Sequence, residues 1–158
     1  GKADLSKFQL LKIAYLLQVY AIKYAGMPFI SGATFIRDKN GPISVDIYSA
    51  LERLEESGLV NKQIIENKEY GFPTHAFSLA KKMPRISFDE GEVVFLDNFL
   101  SELLPLTQKQ LKERAYATEP MREIQKRERG GKILKGVVVS FASVSVDSDV
   151  VDAYSDTS

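Results

Sequence analysis

The sequence contains no cysteine, no tryptophan and a single histidine, His75. Without cysteine there is no thiol nucleophile, no disulfide, no thiolate zinc site and no cysteine-ligated iron–sulfur cluster. One imidazole cannot build a histidine-based metal cluster, so no metal and no cofactor are expected. No stretch approaches the roughly 20 apolar residues that span a bilayer, and no signal peptide is visible. The expectation is an intracellular, cytoplasmic chain with no membrane partner. A glycine-rich phosphate loop is also missing: Gly130-Gly131 follows a charged stretch and lacks Gly-Lys-Ser/Thr. Internal repeats are absent, and the leading Gly1 reads as an expression scar.

What is present suits one globular domain. The chain has 158 residues, 44% hydrophobic and 27% charged, and such a domain buries roughly two-thirds of its unfolded surface. Net charge is zero but uneven. Residues 1–104 carry 12 cations and 13 acids, residues 105–136 nine cations and four acids, and residues 137–158 four aspartates and no cation. A basic helical segment is thus followed by an acidic tail.

Helical spacing of Phe8, Leu11, Tyr15 and Ile22, with Leu10, Ala14, Leu17 and Ala21 beside them, predicts a central helix from about Leu5 to Ala25. Asp4 or Ser6 can cap its start, and Gly26 can take the left-handed position after its end. Thr34–Arg37 reads as a short strand, closed by the turn Asp38-Lys39-Asn40-Gly41-Pro42. Ser44 then caps a helix to about Ser57 that buries Ile47, Tyr48, Leu51 and Leu54, with Gly58 as its stop. Two extended stretches follow, Val60–Glu66 and Ala76–Leu79, around a polar loop with Asn67, Gly71 and Pro73. A helix ending in Gly-Leu-Val that feeds a hairpin is the pattern of a winged helix.

A second helical block starts at Ser87 or Asp89 and runs to Leu104, with Val93, Val94, Leu96, Phe99, Leu100 and Leu103 apolar. Pro105 breaks it. Thr107 caps a helix over Gln108–Tyr116, and Thr118 begins another with Pro120 in its first turn, where a missing N–H costs little. Gly130-Gly131 ends that helix. Val137–Val146, rich in β-branched residues, reads as a strand. That strand either completes the domain's own sheet beside the hairpin or pairs with a partner's edge. The expected organisation is a helical domain with a hairpin over residues 1–136, then a strand and flexible acidic tail over 137–158. The fold class is α+β, mostly α, with a small antiparallel sheet resembling a winged helix.

Three segments in this order carry a resemblance: Lys12-Ile13-Ala14-Tyr15-Leu16-Leu17; Phe35 to Tyr48, in which Asn40-Gly41-Pro42-Ile43-Ser44 leads into Asp46-Ile47-Tyr48; and Leu106-Thr107-x-x-x-Leu111 followed by Thr118-Glu119-Pro120-Met121. Together they resemble the Panacea antitoxin domain, the SocA-like family of prokaryotic and phage-associated proteins, over roughly residues 5–130. Leu11 stands where the family usually has Gln, and Thr118-Glu119-Pro120-Met121 lacks its usual His and Trp. The resemblance implies a mainly helical domain that neutralises a toxin by direct binding or delivers it to a protease.

Each candidate residue has a structural reading beside the functional one. Asn40-Gly41-Pro42 makes a rigid turn, or it shapes a partner surface with Arg37, Asp38 and Lys39. Lys12 needs a carboxylate or carbonyl partner if it emerges from an apolar face; otherwise its stem follows the surface to water. Tyr15 and Tyr48 read as core residues with wet hydroxyls. With Lys12 and Tyr48 included, the candidate partner-binding set is Lys12, Tyr15, Arg37, Asp38, Lys39, Asn40, Gly41, Pro42 and Tyr48.

Catalysis finds no constellation. His75 lies in the hairpin loop with no nucleophile-elbow signature. Asp89, Glu90 and Glu92 are explained by a helix start, where acids favour the macrodipole. No catalytic residue is assigned, and the chain is not expected to be an enzyme. The alternative is a winged-helix transcriptional regulator contacting nucleic acid through Arg122, Lys126, Arg127, Arg129, Lys132 and Lys135. Against it, the Ser44–Ser57 helix offers Asp46, Glu52, Glu55 and Glu56 with only Arg53, a poor guest in a major groove. That acidic face suits a basic protein partner, and a cognate protein is the expected ligand.

Overall fold

The computed structural model describes residues 5–67, 72–79, 89–147 and 149. Gly71, the Ser87 alternative for a helix start, and the acidic stretch from residue 150 onward lie outside the described residues, as does the side chain of His75. In chain order the elements are β1 (Leu5–Ser6), α1 (Lys7–Ala25), β2 (Ile36–Asp38), β3 (Gly41–Ile43), α2 (Val45–Glu56), β4 (Val60–Asn67), β5 (Phe72–Leu79), α3 (Glu90–Leu103), α4 (Gln108–Tyr116) and α5 (Glu119–Arg127). The fold is mostly helical with small antiparallel sheets, the expected α+β class.

Helix α1 is the axis. Ser6 caps it in a reciprocal box with Gln9, and Gly26 ends it at φ 76°. Its buried residues run almost all the way round: Leu11, Ile13, Leu16, Leu17 and Val19 among them. They meet Phe35, Leu103, Leu111, Ala115, Met121 and Ile124 in one core. Helices α3 and α4 begin with reciprocal caps too, Asp89 with Glu92 and Thr107 with Gln110. The acids at 89 and 92 therefore serve the start of α3.

Helix α2 behaves differently. Ile47, Tyr48, Leu51 and Leu54 face inward but stay half-buried, and α2 holds no fully buried residue. Ser44 occupies the N-cap position, yet its hydroxyl makes no cap bond and is buried without a hydrogen-bond partner among the described residues. Gly58 turns the chain at φ 77° into the β4–β5 hairpin. Strand β1 adds to β5 at Leu5–Phe77 and Ser6–Ala76, giving the order β1-β5-β4. Pro73, expected in the loop, lies within β5 opposite Glu66. Strand β1 pairs only with Ala76 and Phe77 and does not reach that far. On α3, the apolar Val93 and Val94 are exposed.

The strand expected over Val137–Val146 does not form. Only Val138 makes a bridge, to Ile36, flanked by Arg37 N–H to Val137 O at 2.8 Å and Val139 N–H to Phe35 O at 2.8 Å. The chain then coils into a single 3-10 turn at Phe141–Ser143. The short pairing extends β2, not the β4–β5 hairpin. Its physical purpose is packing: Val139 and Val144 enter the core, and Phe141 meets both Tyr15 and Phe35.

Candidate functional site

Three buried polar contacts knit the distant motifs together. The first joins α1 to the Asn40-Gly41-Pro42 turn. Lys12 is 1% exposed, and its ammonium donates to Pro42 O at 3.0 Å while lying 4.4 Å from the Phe8 ring centroid. The side chain does not follow the surface to water; it ends on a carbonyl, as burial of a charge demands. Desolvation lowers its pKa from 10.5 to about 7, partly opposed by Asp38. Gly41 is required at that contact. Its φ is +117°, and a Cβ there would sit 2.9 Å from Lys12 Cε.

The second contact joins α1 to the start of α5. Tyr15 is fully buried, and its hydroxyl lies 2.7 Å from Thr118 Oγ1. The expected wet hydroxyl is a dry one, and burial pushes the phenol's pKa upward. Thr118 Oγ1 also donates to Ala115 O at 2.6 Å. With its hydroxyl so engaged, Thr118 occupies the N-cap of α5 without making a side-chain cap bond.

The third contact closes on β2. Arg37 is 4% exposed and forms a two-pronged pair with Glu128, Nε to Oε2 at 2.9 Å and Nη2 to Oε1 at 3.0 Å. Its Nη1 donates to Tyr116 Oη at 2.5 Å and to Asp38 O at 2.8 Å. The Glu128 carboxylate also accepts from Leu134 N–H. Hydrogen bonding to Glu128 holds Arg37 further into its charged range, and Arg37 holds the Glu128 pKa below the ordinary carboxylate value. Glu128 leaves helical geometry at φ −86°, ψ 74° to make this pair. That is why α5 stops at Arg127, ahead of Gly130-Gly131.

The candidate residues consequently divide by accessibility. Lys12, Tyr15, Arg37, Gly41 and Pro42 are buried, whereas Asp38, Asn40 and Tyr48 are half-exposed and Lys39 is exposed. Asp38 faces Lys135 at 3.8 Å, and Asn40 Oδ1 accepts from Lys112 Nζ at 3.3 Å. Lys7 Nζ lies over the Tyr48 ring, 4.0 Å from its centroid. The turn 38–40 thus stands at the surface, carried on a buried polar frame.

The basic run does not form one helical face. Arg122, Lys126 and Arg127 are exposed on α5, but the helix ends there, and Lys132 and Lys135 follow on irregular chain. The side chain of Arg129 lies outside the described residues. On α2, Asp46 accepts from Thr34 N–H at 2.8 Å and Glu55 pairs with Lys62 at 3.3 Å, which leaves Glu52 and Glu56 among its exposed acids.

Sequence reasoning missed Tyr116, Thr118 and Glu128 as partners of the motif residues. It also missed Gln18, buried in α1, which both donates to Ile30 O and accepts from Ile30 N–H at 2.8 Å. A lone amide on an apolar helix face was the available signal.

A model of the family described as antitoxin SocA-like, Panacea domain, matches residues 10–120. The chain belongs to this family. The matched span includes the first two motif segments, the third as far as Pro120, and both ends of the Lys12–Pro42 and Tyr15–Thr118 contacts. Comparison with curated proteins and with solved structures returned no match. In this Panacea domain, no group of three or more His, Cys, Asp or Glu residues among the described ones could hold a metal ion. No helix among them is long and apolar enough to cross a membrane.

Proposed function

We infer that this Panacea domain is a non-catalytic binding domain that neutralises a cognate protein toxin, by masking it directly or by delivering it to a protease. The family match over residues 10–120 carries the reading. The division of the motif supports it: buried Lys12, Tyr15, Arg37, Gly41 and Pro42 hold a rigid frame, and Asp38, Lys39, Asn40 and Tyr48 are offered at the surface. A preformed surface loses little entropy on binding. The acidic exposed residues of α2 add a face suited to a basic partner.

The test is capture of tagged protein from host lysate with nuclease present. One small protein in stoichiometric amount is expected, and it should arrest growth when expressed alone. Charge reversal of Asp38 and Lys39 should weaken its binding; unchanged affinity would remove the turn from the interface.

The alternative, a nucleic-acid-binding regulator, has one observation in its favour. Glu128 is paired away with buried Arg37, so among the exposed α5 side chains Arg122, Lys126 and Arg127 outnumber Glu123. It predicts recovery of nucleic acid that disappears with nuclease, and affinity falling steeply with salt.

A further inference from the structure

Strand β4 pairs with β5 along its whole length, from Val60–Leu79 to Asn67–Phe72, without a bulge. In the order β1-β5-β4 it is an outer strand, and among the described residues no strand pairs with its other side. That side is a row of N–H and C=O groups open to a further strand. Proteins blunt such edges with proline, a bulge or a very short strand. The opposite edge obeys, since β1 has only two residues. Strand β4 has eight residues, no proline and no bulge. At its middle stands Ile64, 72% exposed, after the exposed Asn61, Lys62 and Gln63. A wet isoleucine on a long, straight, unprotected edge marks a surface built to be paired.

The order of residues on β4 says what pairs there. Run antiparallel against itself, the strand matches about Ile64: Ile64 opposes Ile64, position 62 opposes 66, and 61 opposes 67. A lysine then stands against a glutamate twice, on the same face as the two isoleucines. Every opposed pair is an even number of residues apart, so outward-pointing backbone groups meet outward-pointing ones. A two-fold axis between 63 and 64 fails that requirement and puts unlike faces together. An axis on Gln63 sets Lys62 against Ile64 and forms no charge pair. Lys62 lies 3.3 Å from Glu55 of its own chain, and an ammonium with three donors serves both carboxylates.

We propose that the free edge of β4 binds a second copy of this chain, the two β4 strands joining antiparallel about Ile64 into one continuous sheet. The pairing uses up the edge on both chains, so assembly closes at two. Sedimentation velocity of the full chain from micromolar to submillimolar concentration tests it, and a dimer is expected. Ile64→Lys sets two ammonium groups on the axis and should leave a monomer. Lys62→Glu alone and Glu66→Lys alone each oppose like charges twice and should weaken the dimer about tenfold. The two combined should restore the parent's affinity, which a loss of structure in either single variant would not. Far-ultraviolet circular dichroism matching the parent certifies that each variant is folded. A chain that stays monomeric throughout would overturn the proposal, as would a dimer that Ile64→Lys leaves intact. Charge reversals that fail to restore one another would overturn the pairing about Ile64. Amides of 61–65 protected from exchange only when a captured protein partner is added would overturn it too, assigning the edge to that partner's strand.

Discussion

Helix α1 buries nine of its nineteen residues, Lys12 and Gln18 among them, whereas α2 holds no buried residue in twelve. Both helices carry apolar residues at helical spacing and both follow a cap-like residue. The difference lies in what surrounds them. Around α1, the β2–β3 turn, α4, α5 and the 137–144 segment close from several sides, so even polar side chains must find protein partners. Helix α2 leans on β4 and keeps a wet, charged face. In this Panacea domain the buried motif residues act as fasteners, and sequence positions that look chemically active can be wholly structural.

The comparison breaks most readily at the Arg37–Glu128 pair. Glu128→Ala leaves a buried guanidinium without its counter-charge and should cost about 3–5 kcal/mol in urea unfolding. The pair's contribution is present above the ordinary carboxylate pKa and is lost as pH falls through the lowered value of Glu128. Equal stability of parent and variant at neutral pH would remove the pair from the frame. Next, Leu111→Ala opens a cavity against α1 and should cost about 2–5 kcal/mol. Leu51→Ala on half-buried α2 should cost less than half as much; comparable losses would erase the contrast between the helices.

Gly41→Ala meets both a positive φ and the Lys12 stem, and should cost about 1–3 kcal/mol by thermal melting. Lys12→Met sharpens the same contact through pH. The folded pKa of about 7 lies below the ordinary 10.5, so between those values the unfolded chain binds more protons and stability rises with pH. That slope, at most about 1.4 kcal/mol per pH unit, should vanish in the variant. The smallest effect on folding belongs to Lys39→Glu, within about 0.5 kcal/mol, although partner affinity should fall.

Much of the scaffold is legible before any coordinates. Helical spacing from Phe8 to Ile22, Gly26, Gly58, Pro105 and Thr107 delimit elements within a residue or two of where they lie. Local rules fail where tertiary contacts decide. Val137–Val146 has strand propensity, but only Val138 finds a bridge, and Phe141 is drawn to Tyr15 instead. Thr118 looks like a cap and spends its hydroxyl on Tyr15 and Ala115. Glu128 looks like solvated charge interleaved with Arg127, yet it ends α5 to reach Arg37, 91 residues away. The resemblance rests on segments whose inward-facing side chains are decided by how those segments meet.

The central claim is that the frame of Lys12, Tyr15 and Arg37 supports a toxin-neutralising surface at Asp38–Asn40. Growth of cells expressing the captured partner, alone and with this Panacea domain, tests it most directly. The account predicts arrest with the partner alone, restored growth with the parent chain, and diminished rescue with a folded Asp38→Lys, Lys39→Glu variant. Arrest that persists with the parent chain, or full rescue by the charge-reversed variant, would contradict it.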